Sequence, residues 1–193
     1  MTWYVVDGMD GSGKSTAGNI LKAHLEARGR KVLDVTHPTE HRFVGRVADR
    51  FLHMEGGKFW EILAAIFYIM DVVASLFYVR RHGKVYDDVI FIRYSLAVAY
   101  VPTFMVPMTY RIVESILPVP DIKIFVDISP DVAFERIKSR GESLELFETP
   151  DRLRKTRGKI MLISEGWNIV DNSGSEANLE EQIVDVLESE VRL

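Results

Sequence analysis

The fold of this chain is decided by the segment Gly8-Met9-Asp10-Gly11-Ser12-Gly13-Lys14-Ser15-Thr16. It fits the pattern G-x-x-x-x-G-K-[ST] of phosphate-binding loops, in which glycines let backbone N–H groups turn inward around phosphate oxygens. A short aromatic and β-branched run, Trp3-Tyr4-Val5-Val6, precedes it, as in a buried parallel strand. Apolar residues at helical spacing follow it, and a helix N-terminus favours anions. The sequence therefore predicts a strand, a phosphate-binding loop and a helix.

The loop pattern assigns roles to individual side chains. Lys14 would reach the β- and γ-phosphates of ATP, and the Ser15 hydroxyl would complete the shell of a Mg²⁺ ion. We predict that ATP contacts eight loop residues: Gly8, Asp10, Gly11, Ser12, Gly13, Lys14, Ser15 and Thr16. The alternative is an ordinary glycine-rich turn between a strand and a helix, but the flanking elements favour a nucleotide site.

Composition limits the class of protein. The chain has 193 residues, of which 47% are hydrophobic, enough for one core and too few for two comfortable domains, so we predict a single domain over 1–193. Its formal net charge of −4 argues against a general nucleic-acid or membrane-surface binder. Without cysteine it forms neither disulfides nor thiolate metal sites. No signal peptide is evident at the start, so we expect a cytoplasmic protein.

One apolar stretch, residues 59–79, resembles a membrane span. Glu61 and Asp71 lie within it, and a carboxylate near the bilayer centre costs about 2.5–3.5 kcal/mol. We therefore expect a long helix that lies in a core or at a contact between two subunits, and no membrane partner.

Strand and helix patterns alternate along the chain. The predicted strands cover 3–6, 31–36, 85–92, 122–127 and 167–170. The predicted helices cover 17–25, 43–53, 59–79, 131–140, 151–164 and 178–191, with a bent or interrupted helix over 94–108. This alternation predicts a three-layer α/β sandwich with a five-stranded parallel sheet and helices on both faces. Ligands bind at the carboxyl ends of such strands, which places Asp10, the loop 37–42, Arg93 and Asp127 around one crevice.

Taken in order, these motifs resemble those of the thymidylate kinases over the full length of the chain. The phosphate-binding loop is similar to that family's loop, including its extra aspartate, Asp10. Arg93-Tyr94 followed by Ala99-Tyr100 is similar to its aspartate-arginine-tyrosine motif. Phe125-Val126-Asp127-Ile128-Ser129-Pro130, with Arg136 and Arg140-Gly141 after it, resembles its fourth strand and the start of its lid. Val170-Asp171-Asn172-Ser173-Gly174 looks like the loop beside the adenine.

The resemblance implies a P-loop NTPase-type fold with a short lid at about 140–157 and an ATP- and Mg²⁺-dependent kinase of a nucleoside monophosphate, most simply dTMP. Lys14, Arg93, Asp10 and Arg140 would act in catalysis. Arg136, Arg140 and Asn172 would join the loop in binding ATP. The acceptor nucleotide would contact Asp10, Arg42, Tyr68, Arg93 and Tyr100. By resemblance Asp10 takes the sugar 3′-hydroxyl or a water on Mg²⁺, and Tyr68 stacks on the base.

Each of these residues has a simpler alternative role. Arg93 could form a salt bridge with a neighbouring carboxylate, and Asp10 could serve only the turn. Arg140 could be a solvated arginine at a helix end, and Tyr68 could be a core aromatic. By resemblance the lid would supply a cation from Arg140, Arg152, Arg154 or Arg157, and the alternative for the last three is a solvated basic face.

The chain departs from the family at four places. Ile92 replaces the aspartate before Arg93, so Asp10 or Asp127 would have to assist the metal. The second-strand loop reads Val35-Thr36-His37-Pro38 and lacks an arginine, which Arg42 or His41 could supply. Val72 stands near the expected base-reading arginine, and Gly11 stands where some members carry an arginine.

These departures leave three hypotheses open. The first is a kinase for dTMP, the second a kinase for another nucleotide or small acceptor, and the third a nucleotide-binding regulator with weak transfer. The apolar segments 59–79 and 94–108 favour a homodimer.

Overall fold

Five parallel strands form one sheet in the computed structural model, which describes residues 1–39, 41–52, 58–139, 141 and 148–191. The strand order is β2-β3-β1-β4-β5. The bounds are β1 (Thr2–Asp7), β2 (Val32–Thr36), β3 (Asp88–Ile92), β4 (Ile122–Asp127) and β5 (Asn168–Asp171). The three central strands are apolar along nearly their whole length because helices cover both of their faces.

Seven helices cover the two faces of this sheet within the described residues. They are α1 (Lys14–Ala27), α2 (Phe43–Leu52), α3 (Lys58–His82), α4 (Val106–Ile116), α5 (Pro130–Ser139), α6 (Pro150–Met161) and α7 (Glu176–Val191). Alternate strand residues point to opposite faces. Val6 and Ile92 therefore pack with α1 and α7, whereas Val5 and Phe91 pack with α3, α4, α5 and α6. The predicted three-layer α/β sandwich is confirmed.

Two boundaries differ from the sequence predictions. The third strand begins at Asp88 because Gly83–Val85 form a 3₁₀ turn. The predicted bent helix over 94–108 consists of two 3₁₀ turns, Leu96–Tyr100 and Thr103–Met105, before α4 begins at Val106. Proline lacks an N–H and fixes its own φ, so Pro102 separates the two turns, while Pro107 is accommodated in the first turn of α4.

Helix α3 contains the apolar stretch that resembles a membrane span. Leu63–Val85 is long and apolar enough to cross a membrane, a test that core helices of soluble proteins also pass. Asp71 and Ser75 are fully buried on the side of α3 that faces the sheet. Several large apolar residues on α3 are exposed, namely Ile66, Ile69, Met70, Val73 and Phe77.

The predicted lid is described only in part. Arg140, proposed above as catalytic, lies outside the described residues, as do 142–147. The described part of the region consists of Gly141, Glu148, Thr149 and the first two turns of α6, which begins at Pro150.

Candidate active site at the carboxyl edge of the sheet

The phosphate-binding loop joins β1 to α1 and lies close to two other elements. Gly11 and Gly13 have φ values of 75° and 92°, a region that glycine adopts without steric cost. A Cβ atom at Gly11 would lie 2.5 Å from the Ala133 carbonyl oxygen. One at Gly13 would lie 2.2 Å from Nδ2 of Asn172. The close approach of α5 therefore explains why position 11 carries no side chain.

Asn172 and Arg136 support the loop from the side predicted for ATP. Asn172 Nδ2 donates to the Ser12 carbonyl oxygen at 2.8 Å, and Arg136 Nη2 donates to the Asn172 carbonyl oxygen at 3.0 Å. The Ser12 hydroxyl is buried and makes no hydrogen bond to the described part of the chain. Unpaired N–H groups of the first turn of α1 lie next to it. An anion with several oxygens, such as a phosphate chain, would satisfy these donors.

Lys14 lies folded over the loop and is only 4% exposed. Its ammonium group donates to the Met9 carbonyl oxygen at 2.7 Å and lies 3.3 Å from Asp10 Oδ1. Burial lowers the pKa of Lys14 to about 8, although the neighbouring carboxylate of Asp10 opposes this shift. The loop therefore holds a lysine that loses its charge more easily than an exposed one.

Asp10 brings two other predicted site residues together. Arg93 Nη2 donates to Asp10 Oδ1 at 2.9 Å, and the Tyr100 hydroxyl donates to Oδ2 at 2.5 Å. Burial would raise the pKa of Asp10, but Lys14, Arg93 and Tyr100 together lower it well below its ordinary value. Asp10 is thus an ionised carboxylate between the cation of the loop and the cation that follows β3.

Arg93 follows β3 in a left-handed backbone conformation with φ 62°. Its N–H donates to the Val6 carbonyl oxygen at 3.1 Å. Buried Asp7 fixes the backbone on both sides of the crevice, because it accepts N–H bonds from Gly8 at 2.9 Å, Tyr94 at 2.9 Å and Leu96 at 3.0 Å. The sequence analysis missed Asp7. The available signal was an acidic residue at the end of an otherwise apolar strand, directly before the loop.

Arg42 and Tyr68, both predicted to bind the acceptor, lie against α3. Arg42 Nη1 donates to Ser75 Oγ at 2.5 Å, and its guanidinium lies 5.5 Å from the ring centre of Tyr78. Tyr68 is part of α3 and meets His37 edge-on with ring centres 6.0 Å apart. The Tyr68 hydroxyl is buried without a hydrogen bond to any described residue. The structure therefore groups Arg42 with Ser75 and not with the Asp10–Arg93 pair.

His37 directly follows β2. The sequence analysis placed the loop 37–42 at the crevice but assigned no role to His37. Its imidazole is fully buried and stacks on Phe91, with ring centres 5.9 Å apart. Nδ1 lies 2.8 Å from the Arg93 carbonyl oxygen, and Nε2 lies 2.9 Å from Ser75 Oγ. The signal in the sequence was a histidine, which can hydrogen-bond through both ring nitrogens, directly after an apolar strand.

Two of the four departures from the family motifs, Ile92 and Val72, lie in the core. Ile92 is 4% exposed and packs on α1, where a Cβ atom added to Gly18 would lie 2.5 Å from its Cδ1. Val72 is also 4% exposed. Ile92 belongs to the apolar cluster that includes α1, and Val72 belongs to the cluster on the opposite face of the sheet. Asp127, one of the two residues expected to assist the metal in place of the missing aspartate, accepts two hydrogen bonds from Arg157, each at 2.7 Å.

A magnesium ion fits the donor set around the loop. Mg²⁺ usually keeps several waters and binds one or two carboxylates together with substrate phosphates. In the described part of the chain, His, Cys, Asp and Glu residues form no group of three or more that could hold a metal by itself. Exposed Ser15, in the first turn of α1, and Asp10 supply oxygens beside the place where the phosphates would bind. Such a set suits a metal that arrives with its nucleotide.

Known proteins resemble this chain over nearly its full length. A family model described as thymidylate kinase matches residues 6–183. Identity to the probable thymidylate kinase 1 of Saccharolobus solfataricus is 27% over 187 residues, 95% of each chain. Identity to the probable thymidylate kinase of Archaeoglobus fulgidus is 28%, with 97% of this chain and 95% of the relative covered. For the probable thymidylate kinase of Pyrobaculum calidifontis the identity is 30%, with 95% and 94% covered. The chain belongs to the thymidylate kinase family.

Proposed function

We propose that this protein transfers the γ-phosphoryl group of ATP to the phosphate of dTMP. The observation that carries the proposal is the arrangement Lys14–Asp10–Arg93, in which one ionised carboxylate separates a cation on the ATP loop from a cation at the end of β3. Family membership supports the reaction type and the acceptor. Phosphoryl transfer needs two anionic phosphates aligned, water excluded and positive charge near the transferred group.

The residues of the site would act by changing partners. ATP would take Lys14 from the Met9 carbonyl oxygen, and the monophosphate would take a guanidinium edge of Arg93, which can bind two phosphate oxygens at once. Tyr100 would keep Asp10 in place while Arg93 turns to the acceptor. Bound Mg²⁺, held through Ser15 and Asp10, would neutralise charge on the ATP phosphates. Arg136 and Asn172 would hold the loop on the adenine side.

A second candidate is a kinase for a different monophosphate. Val72 is buried where resemblance expects an arginine that reads the base, and Arg42 is bound to Ser75. A pocket without a hydrogen-bonding partner for one base discriminates less between bases. An ADP-release assay over a panel of deoxynucleoside and nucleoside monophosphates tests both candidates. Turnover with dTMP supports the first, and turnover only with another acceptor supports the second. ATP binding without turnover would contradict both and leave a nucleotide-binding regulator.

We also propose that two copies associate through the exposed apolar face of α3 and that the protein acts in the cytoplasm without a nucleic-acid or membrane partner. Exposed apolar residues in contiguous patches mark contact surfaces, and Ile69 and Phe77 are 60% and 69% exposed. Light scattering on the wild type and on Phe77→Glu tests the dimer. A wild-type protein that is monomeric at micromolar concentration would contradict it.

A further inference from the structure

We propose that His37 is a positioning residue, which holds Arg93 in its left-handed backbone conformation through a hydrogen bond, and that Ser75 and Arg42 fix the imidazole tautomer that makes this bond. The inference rests on the proposed function, in which Arg93 binds the phosphate of the acceptor. It adds a hydrogen-bonded series of three side chains, Arg42, Ser75 and His37, that ends at the carbonyl oxygen of Arg93.

The backbone at Arg93 needs support from outside. Among the described residues other than glycine, Arg93 alone has a positive φ. This region is disfavoured because Cβ approaches the following carbonyl oxygen. Such a conformation persists where neighbouring groups fix it, and here Val6 accepts from the Arg93 N–H while His37 reaches its carbonyl oxygen. The bond from His37 therefore acts on the residue whose guanidinium meets Asp10.

The direction of each hydrogen bond follows from the chemistry of its partners. A carbonyl oxygen only accepts, so Nδ1 of His37 must carry the proton. Burial lowers the pKa of the His37 imidazole below its ordinary value. The hydrogen bond to the Arg93 carbonyl oxygen and the charge of Asp71 oppose this shift, and the charges of Arg42 and Arg93 reinforce it, so the net direction favours a neutral ring at pH 7. Neutral Nε2 then accepts from the Ser75 hydroxyl. Ser75 Oγ in turn accepts from Arg42, which can only donate.

Packing holds the His37 ring in the plane that its hydrogen bonds to Arg93 and Ser75 require. The imidazole lies nearly parallel, at 6°, to the ring of Phe91, which is on β3 two residues before Arg93. The His37 N–H also donates to the Ile92 carbonyl oxygen at 3.0 Å. With the ring and its backbone both held on β3, a loss of the Nδ1–H bond would release the Arg93 carbonyl and leave the rest of His37 in place.

The first test reads the tautomer directly. Nitrogen-15 NMR of the full-length protein at pH 7 distinguishes a protonated Nδ1 from a protonated Nε2, and the signals of His37 are those missing in His37→Asn. We expect a protonated Nδ1 and an unprotonated Nε2. The opposite tautomer, which free histidine prefers, would overturn the inference whatever the activity of the enzyme.

The second test uses two variants, each of which can replace one of the two hydrogen-bonding positions of the imidazole. The amide nitrogen of asparagine can replace the Nδ1–H donor, whereas the amide oxygen of glutamine can replace only the Nε2 acceptor. With dTMP as acceptor, we expect His37→Asn to keep the acceptor KM within about threefold of wild type and His37→Gln to raise it about tenfold, with the KM for ATP unchanged in both. Equal acceptor KM values in the two variants, or a parallel change in the KM for ATP, would overturn the inference. If His37→Gln does not fold, Ser75→Ala takes its place, and we then expect mixed tautomers and a raised acceptor KM.

A third comparison separates this inference from the proposed function. If His37 acts through Arg93, then His37→Gln should change the acceptor KM less than about twofold in an Arg93→Ala background. A full tenfold effect in that background would overturn the inference. An Arg93→Ala enzyme with an unchanged acceptor KM would instead contradict the role proposed for Arg93, while the NMR result would still decide whether the hydrogen bond exists.

Discussion

Asp10 and Arg93 form an ion pair, with 2.9 Å between Oδ1 of the carboxylate and Nη2 of the guanidinium. Asp10 lies in the phosphate-binding loop and Arg93 follows β3, so this contact joins two predicted site residues that are 83 positions apart. The salt bridge was the simpler alternative for Arg93, and it is present. It is also compatible with the proposed role, because a phosphate can replace a carboxylate as the partner of a guanidinium.

Arg93→Ala should damage binding of the acceptor and leave binding of ATP intact. The loss of a charged, bidentate contact should raise the acceptor KM at least tenfold, about 1.4 kcal/mol. Titrations with dTMP and with ATP on the same enzyme measure the two effects. Arg28→Ala is the matched control, because Arg28 is exposed at the C-terminal end of α1, opposite the end that carries the phosphate-binding loop. Equal weakening of both ligands in Arg93→Ala would assign Arg93 a structural role.

Lys14→Ala should slow the chemical step. Lys14 is proposed to stay with the γ-phosphate through transfer, so the expected loss is at least a hundredfold in kcat, about 3 kcal/mol. Circular dichroism before and after the substitution checks that the fold is kept. A folded Lys14→Ala variant with the kcat of the wild type would contradict the assignment of this loop as the site of the ATP phosphates.

ATP binding should take up a proton near pH 8. The pKa of Lys14 is about 8 without ligand, and bound phosphates favour the charged form and raise it. Lysine therefore gains a proton on binding, and ATP affinity falls as the pH rises through 8 towards the raised value. Calorimetry in buffers of different ionisation enthalpy measures the uptake, and Lys14→Arg, which stays charged, should show none. In Asp10→Asn the decline should begin at lower pH, since Asp10 raises the pKa of Lys14. If the affinity of the wild-type protein for ATP did not change between pH 7 and pH 9, this prediction would be contradicted.

Local patterns and the edge rule for parallel sheets predicted the loop, the five strands and the meeting of Asp10 and Arg93, whereas Tyr100 was expected only from the resemblance to the thymidylate kinases. They failed where the chemistry depends on hydrogen bonds between distant residues. Asp7 bonds to Tyr94 across 87 positions, and His37 bonds to Ser75 across 38. Periodicity gives the face on which a residue lies and not its partner. Arg42 shows the same limit, because a long side chain can turn to Ser75 as easily as to the crevice.

The carboxyl end of β3 offers the sharpest test of the metal site. In Ile92→Asp the new carboxylate could either enter the crevice or face the core. Ile92 is 4% exposed and contacts Gly18 on α1, so we expect the second outcome. An unpaired buried carboxylate should destabilise the protein by about 3 kcal/mol or more, which lowers Tm by roughly 10 °C in a chain of this size.

Ile92→Val is the control for this substitution, because it removes the methyl group that faces Gly18 without adding charge and should cost only about 1 kcal/mol. Thermal unfolding of the wild type and both variants, together with a Mg²⁺ titration of activity, decides between the outcomes. If Ile92→Asp melted like the wild type and needed less Mg²⁺ for half-maximal rate, the side chain at position 92 would reach the metal. A large loss of stability in Ile92→Asp alone would mean that position 92 belongs to the core and that the end of β3 offers the metal no carboxylate.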